Sequence, residues 1–224
     1  MIKYVGFDKD GTLIDDQEGY MQEWGKLVYK NFNIDQKEAE DLFRQMAGDP
    51  AVLQLDAILK KHNIRLSYSE LFSKAEDFSY HIGENFKGNV FPEALSIFKQ
   101  LKETDYKIFV SSGQEQIITK EDLERTGLME YVDYYVGLRP DQPEFKKGEP
   151  HFRDIAKHFG VDFNAFVKQA VYVGDTLVDI ENPKKLGIRS ISKIGTLSKD
   201  KLLELGAKFV IPDLLTLPEI LKTL

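Results

Sequence analysis

A chain of 224 residues, 42% hydrophobic and 30% charged, has room for one large domain or two modest ones around a real core. Its 37 acidic against 30 basic side chains give a net charge of −7, broken only by short pairs such as Lys60-Lys61, Lys146-Lys147 and Lys184-Lys185. A basic nucleic-acid-binding face is therefore disfavoured and a small-molecule substrate favoured, while the absence of cysteine excludes disulfides, thiolate zinc and cysteine nucleophiles.

The first apolar run, residues 2–7, reads as a short buried strand that runs straight into Asp8-Lys9-Asp10-Gly11-Thr12. Carboxylates two residues apart in extended chain point to the same side. Unpaired beside a core, they repel each other and lose hydration. A hard divalent cation resolves that conflict, and Mg2+ usually takes one or two carboxylates together with substrate phosphate oxygens. The segment points to a metal-dependent phosphate site.

Residues 15–88 contain no convincing strand, hold the only tryptophan, Trp24, and show helical periodicity over 19–31, 36–46, 50–62 and 67–85. One crossover helix needs far less chain, so an inserted all-helical domain is expected, leaving the core just after the acidic pair and serving as a lid. Trp24, Tyr20 and Phe32 read as its core. The turn at 44–50 joins two of its helices, and Arg44 there is either a contact for a second anionic group or a solvated cation at a plain turn.

From residue 89 onward, strand candidates at 107–111, 134–136, 170–173, 188–191 and 208–211 alternate with helical stretches. A helix over 92–102 opens on Pro92, one over 115–126 stops at Gly127, and one over 150–159 ends at Gly160. The alternation predicts an α/β fold, a doubly wound Rossmann-like parallel sheet, with residues 1–14 and 89–224 forming the core and 15–88 the helical cap.

Ligands of such sheets bind beyond the carboxyl ends of the strands. Those ends supply Asp8 and Asp10, then Ser111-Ser112-Gly113, then Lys146 and Lys147 ahead of Pro150, then Gly174-Asp175-Thr176 with Asp179 following. Taken singly, these are caps, turns and solvated lysines. Together they bring a carboxylate nucleophile, a second carboxylate, a hydroxyl, an ammonium and a further acidic pair to one sheet edge. His62, His81, His151 and His158 lack metal-ligand spacing and read as surface or core filler.

The segments Phe7-Asp8-Lys9-Asp10-Gly11-Thr12-Leu13, Val110-Ser111-Ser112-Gly113, Lys147-Gly148-Glu149-Pro150 and Val173-Gly174-Asp175-Thr176-Leu177-Val178-Asp179 closely resemble the four motifs of the haloacid dehalogenase superfamily. The tail at 205–214 is similar to that family's last strand. A helical cap between the first two motifs resembles the subgroup containing phosphoglycolate phosphatase and β-phosphoglucomutase. The resemblance implies a Mg2+-dependent phosphatase for a small phosphorylated metabolite, working through an aspartyl-phosphate on Asp8 with Asp10 as general acid and base. It further implies that Ser112 and Lys147 hold the phosphoryl oxygens, and that Asp8, Asp175 and the Asp10 backbone carbonyl bind Mg2+. Thr12, Gly113 and Asp179 support them, Thr12 by fixing Asp10 and Asp179 by holding Lys147 or a metal-bound water. Ser112 is preferred to Ser111 because it precedes Gly127 by 15 residues, the family's interval. Lys147 is preferred to Lys146 for its Lys-x-x-Pro relation to Pro150.

Asp10 must begin protonated for this role, a state that neighbouring negative charges favour. Its presence argues for phosphate over halide chemistry, and a phosphosugar mutase of the β-phosphoglucomutase type is the alternative. Three departures from the family pattern, Lys9, Gln114 and Gly148, coincide with none of the chemical groups. Met1 leads directly into the first strand, and no apolar run approaches the roughly 20 residues of a membrane span, so a cytoplasmic protein without membrane contact is expected.

Overall fold

Short apolar runs bounded by Asp, Gly and Ser become a parallel sheet in the computed structural model, which describes every residue except Gly48 and Pro143 and the side chains of Glu84 and Asn85. The elements run β1 (Tyr4–Phe7), β2 (Ile14–Asp15), α1 (Gln17–Phe32), α2 (Gln36–Gln45), α3 (Ala51–Lys61), α4 (Tyr68–Asn85), β3 (Asn89–Val90) and α5 (Pro92–Lys102). They continue with β4 (Lys107–Glu115), α6 (Gln116–Arg125), β5 (Tyr134–Leu138), α7 (Glu149–His158), α8 (Phe163–Gln169) and β6 (Ala170–Gly174). The chain finishes with α9 (Leu177–Leu186), β7 (Arg189–Lys193), α10 (Lys199–Glu204), β8 (Val210–Ile211) and α11 (Leu217–Leu221). Two compact units result, Met1–Asp15 with Asn89–Leu224, and Asp16–Gly88.

In the first unit six strands lie in the order β5-β4-β1-β6-β7-β8, every pairing parallel. The chain moves outward from β1 through β4 to β5, then returns to the other side of β1 with β6. The reversal of strand order falls between β1 and β6, where ligands of open α/β sheets bind. The two-residue period of the strands sorts their side chains onto two faces. Val5, Phe7, Ile108, Val110, Val171 and Val173 pack against α5 and α11 through Ile97, Phe98, Leu217 and Leu221. Phe109, Ala170 and Tyr172 meet Phe152, Ile155 and Phe166 of α7 and α8 on the opposite face. Burial on both faces explains why these strands are continuously apolar.

Some elements differ from the sequence-based expectation. The strand predicted to end at residue 111 runs on to Glu115, with a register irregularity between Ser111 and Glu115 that carries Ser111, Ser112 and Gly113 inside β4 rather than in a turn after it. β2 and β3 pair antiparallel over Ile14↔Val90 and Asp15↔Asn89, a two-residue ladder with no local signature. The helices α8, α10 and α11 span 7, 6 and 5 residues, too few turns to show a period.

The second unit consists of α1 to α4. Trp24 is 1% exposed and packs 5.4 Å edge-on to Phe78 and 5.7 Å from Phe43, with Leu55, Ile58 and Leu71 completing the core. Tyr20 and Phe32 pack at its margin. Asp35 caps α2 by accepting from the Glu38 N–H, and a Ser67–Glu70 capping box starts α4. Arg44 is exposed and pairs with Glu18 at 3.4 Å and Asp41 at 3.6 Å. Of the turn at 44–50, Gly48 lies outside the described residues. Among the described residues, no helix is long and apolar enough to cross a membrane.

Candidate active site

The site grows from the carboxyl ends of β1 and β6. The Asp8 N–H donates to the Val173 carbonyl at 2.8 Å, which carries the parallel ladder one residue past β1 and fixes the Asp8 backbone. The chain then folds back on itself, with Leu13 and Ile14 N–H donating to the Lys9 carbonyl and Gly11 N–H to that of Ile14. Gly11 takes φ +77°, and a Cβ there would lie 2.3 Å from Asp175 Oδ2, so the turn requires glycine on both counts. Lys193, at the end of β7, donates to the Gly11 carbonyl at 3.3 Å and sits 3.5 Å above the Phe91 ring.

Asp175 follows β6 and is held from two directions. Thr12 Oγ1 donates to its Oδ1 at 2.9 Å and the Thr196 N–H to its Oδ2 at 2.9 Å. Thr12 therefore fixes Asp175 and not Asp10, because the tight Gly11 turn swings its hydroxyl across to β6. One turn on, Asp179 caps α9, accepting from the Thr176 N–H at 3.0 Å and the Thr176 hydroxyl at 2.6 Å. Gly174 leaves space for it, since a Cβ there would lie 2.3 Å from the Asp179 carboxyl carbon.

Lys147 reaches this cluster from the loop before α7, its ammonium 2.7 Å from Asp8 Oδ1 and 2.7 Å from Asp179 Oδ1. Lys146 is exposed. Of the two serines, Ser112 donates to Asp10 Oδ2 at 3.1 Å and accepts from the Gln114 N–H at 3.0 Å. Ser111 instead meets His151 Nδ1 at 2.9 Å. Gly113 is not among the glycines of positive φ, so its conformational freedom is not used.

Lys9 alters the sequence-based picture most. It is fully buried, its ammonium 2.8 Å from Asp10 Oδ1 and paired also with Asp122 of α6. A departure from the family motifs that was expected to touch no chemical group thus touches one. The Asp10 carboxyl, whose neighbouring negative charges were expected to favour its protonated form, is also paired with a cation. Sequence reasoning also missed Lys193 and Thr196, whereas His151, read as surface or core filler, is fully buried beside Ser111. Lys193 ends a strand as Asp8 and Asp175 follow theirs, so the same strand-end rule could have found it.

Charge is unbalanced at the centre. Carboxylate oxygens of Asp8, Asp175 and Asp179, all buried, lie within 4.8 Å of one another. Burial and then Asp179 push the Asp8 carboxyl well above the usual carboxylate range, with Lys147 opposing and Asp175 and Asp10 adding to the rise. Asp175 is raised by burial and Asp179 against its hydrogen bonds from Thr196 and Thr12. Burial disfavours the charged Lys147, but Asp179 and Asp8 outweigh it and hold the ammonium well above its ordinary value. His151 is pushed down to about 3 by burial and the nearby Lys147 charge, which keeps the ring neutral. Three buried carboxylates facing one ammonium, with oxygen as the available donor, match the needs of a hard divalent cation such as Mg2+.

Comparison with known proteins places the chain in a family. A phosphoglycolate phosphatase of Aquifex aeolicus is 26% identical over 191 residues, 84% of this chain and 83% of its own length. PpaX of Caldanaerobacter subterraneus subsp. tengcongensis, provisionally named a pyrophosphatase, is 26% identical over 226 residues, covering 99% of this chain and 95% of its own. The crystal structure of a predicted phosphatase from Clostridium acetobutylicum matches the fold with a TM-score of 0.82 at 22% identity over the whole of both chains. Residues 2–187 match the family described as haloacid dehalogenase-like hydrolase, and the chain belongs to that family.

Proposed function

We propose that this hydrolase is a Mg2+-dependent phosphatase that cleaves a small phosphomonoester through an aspartyl-phosphate on Asp8. The observation that carries the reading is the convergence of Asp8, Asp175 and Asp179 at the switch point between β1 and β6, with Lys147 2.7 Å from both Asp8 and Asp179. Phosphatase chemistry is further supported by the family match and by the names of the relatives. Asp8, Asp175 and the Asp10 backbone carbonyl would hold Mg2+, which when bound supplies the positive charge that an anionic nucleophile and an anionic substrate both need.

Asp8 attacks phosphorus with a carboxylate oxygen, forming a new P–O bond as the bond to the leaving oxygen breaks. The leaving oxygen keeps the electron pair and takes the proton of Asp10. Lys147 and Ser112 hold phosphoryl oxygens on which charge accumulates, so Ser112 gives up its hydrogen bond to Asp10 when substrate binds. A water then attacks the same phosphorus, Asp10 takes its proton, and Asp8 is released. Asp179 keeps the Lys147 ammonium in place. Residues 16–88 act as a cap that selects the rest of the substrate, Arg44 being a candidate contact for a second anionic group.

The test is a panel of small phosphomonoesters assayed with and without Mg2+, with acid-quenched protein analysed for a phosphoryl adduct on the Asp8 peptide. Mg2+-dependent phosphate release and an adduct lost in Asp8→Asn are expected. Turnover at the wild-type rate by Asp8→Asn, or inactivity across the panel with Mg2+ present, refutes the reading. Including β-glucose 1-phosphate separates phosphate release from the 6-phosphate that a mutase would form.

A further inference from the structure

Lys9 carries the one charge in the first motif without a role in the chemistry above, and it is fully buried. An ammonium loses hydration on burial and persists only with strong partners. Its partners are unequal in kind. Among them are Asp10 Oδ1 at 2.8 Å and Asp122 on α6, itself tied to Arg125 at 2.9 Å. The two oxygens of Asp10 therefore sit in different environments. Oδ1 faces a buried ion pair braced on α6, while Oδ2 accepts from the neutral Ser112 hydroxyl at 3.1 Å. A hydroxyl that turns to a phosphoryl oxygen releases Oδ2 and leaves Oδ1 in place.

We propose that Lys9, braced by Asp122, is a positioning residue for Asp10: it anchors Oδ1 so that Oδ2 is the oxygen presented to the leaving group and then to the attacking water. The inference rests on the reading of Asp10 as the proton-transfer group. An unanchored carboxyl would spend much of its time rotated away from the reacting oxygen, which slows steps needing a proton and leaves substrate binding untouched. A methionine fills the same space with no charge, so Lys9→Met removes the anchor while retaining the packing.

Rapid-quench single-turnover kinetics with two substrates tests this. One is an alkyl phosphate, whose leaving group needs a proton; the other is p-nitrophenyl phosphate, whose leaving group does not. Lys9→Met should slow phosphoenzyme formation from the alkyl ester by about tenfold or more, with the aryl ester within about threefold and KM little changed. Asp122→Asn should shift the alkyl-to-aryl ratio in the same direction by a smaller factor, and it carries the same expectation should Lys9→Met not accumulate as folded protein. Equal loss on both esters, or a change confined to KM, overturns the proposal. Asp10→Ala separates the two levels. If it fails to discriminate between the esters, the parent reading of Asp10 is wrong. If it discriminates and the Lys9 and Asp122 variants do not, only the positioning role falls.

Discussion

Replacing Asp8 with asparagine should abolish turnover and at the same time stabilise the metal-free protein near neutral pH. The Lys147 ammonium lies 2.7 Å from Asp8 Oδ1, an attraction of about 6 kcal/mol at an effective dielectric of about 20. Asp175 and Asp179 approach the same carboxylate within 4.8 Å, and each repels it by about 3.5 kcal/mol or more on the same footing. Repulsion thus cancels the ion pair, and the cost of burying the charge stands unopposed, which agrees with the upward displacement of the Asp8 carboxyl. Asparagine keeps the shape and removes the charge, and Lys147 retains Asp179 at 2.7 Å. Replacing a buried charge whose pairing does not repay its lost hydration by a neutral group of the same shape is often stabilising by about 1–4 kcal/mol, and a gain on that scale is expected. At ~2–4 °C per kcal/mol for a chain of this size, the melting temperature rises by several degrees. The sign follows from the direction of the shift. Below the unfolded carboxyl pKa both states hold the proton and the cost is absent; it grows as pH rises towards the folded value and is complete above it. Urea unfolding of both proteins in EDTA from pH 4 to pH 8 measures the difference. An Asp8→Asn protein less stable than wild type at neutral pH, or a gap that does not widen with pH, refutes the reasoning.

Lys147→Met leaves the buried carboxylates of Asp8 and Asp179 without their cation, so the metal-free protein should lose about 3–5 kcal/mol in urea titrations and retain no hydrolysis. Gly11→Ala forces a side chain into φ +77° with its Cβ 2.3 Å from Asp175 Oδ2, costing about 1–2 kcal/mol from the backbone alone. Displacement of Asp175 should also weaken Mg2+ binding, which calorimetric titration reads directly. Burial and the nearby Lys147 charge push His151 down to about 3 in the folded chain, far below its ordinary value. Its contribution is full above the unfolded histidine pKa of about 6.5 and declines by ~1.4 kcal/mol per pH unit as the medium is acidified towards 3. Between pH 6 and pH 4, His151→Gln should remove about one proton's worth of slope from the stability curve.

The sheet edge was readable because buried parallel strands are continuous apolar runs and must stop where charge begins. Each break at Asp8, Ser111-Ser112 and Asp175 therefore marks a strand end or its immediate neighbourhood, and the structure gathers these residues with Lys147 around the β1/β6 reversal. Partner choice was not readable. Whether Thr12 binds Asp10 or Asp175 depends on the positive φ of Gly11 and on which strand lies beside β1, both set by tertiary structure. Lys9 finds Asp122 across 113 residues of sequence, a pairing that no local pattern encodes. The β2–β3 ladder is two residues long and the helices missed near the end of the chain make barely two turns, so neither offers a period to detect.

All four acidic residues of the centre are aspartates, and the local structure gives a reason. Asp8 and Asp175 follow directly on strands, Asp10 lies in the turn between, and Asp179 occupies the first turn of α9. At such positions a carboxylate one methylene from the backbone stays close to the backbone and hydroxyl donors nearby. Asp179 meets the Thr176 N–H and hydroxyl in this way, and Asp175 meets the Thr196 N–H and the Thr12 hydroxyl. These contacts set the side-chain rotamers from the fold itself, so the carboxylates stay gathered although they repel one another. Glutamate would add a rotatable bond, whose freezing costs entropy, and would carry the carboxylate past the 2.7 Å contacts with Lys147. A divalent cation entering such a site would find oxygen donors already oriented, and the strain of holding like charges together would be released on binding rather than incurred by it.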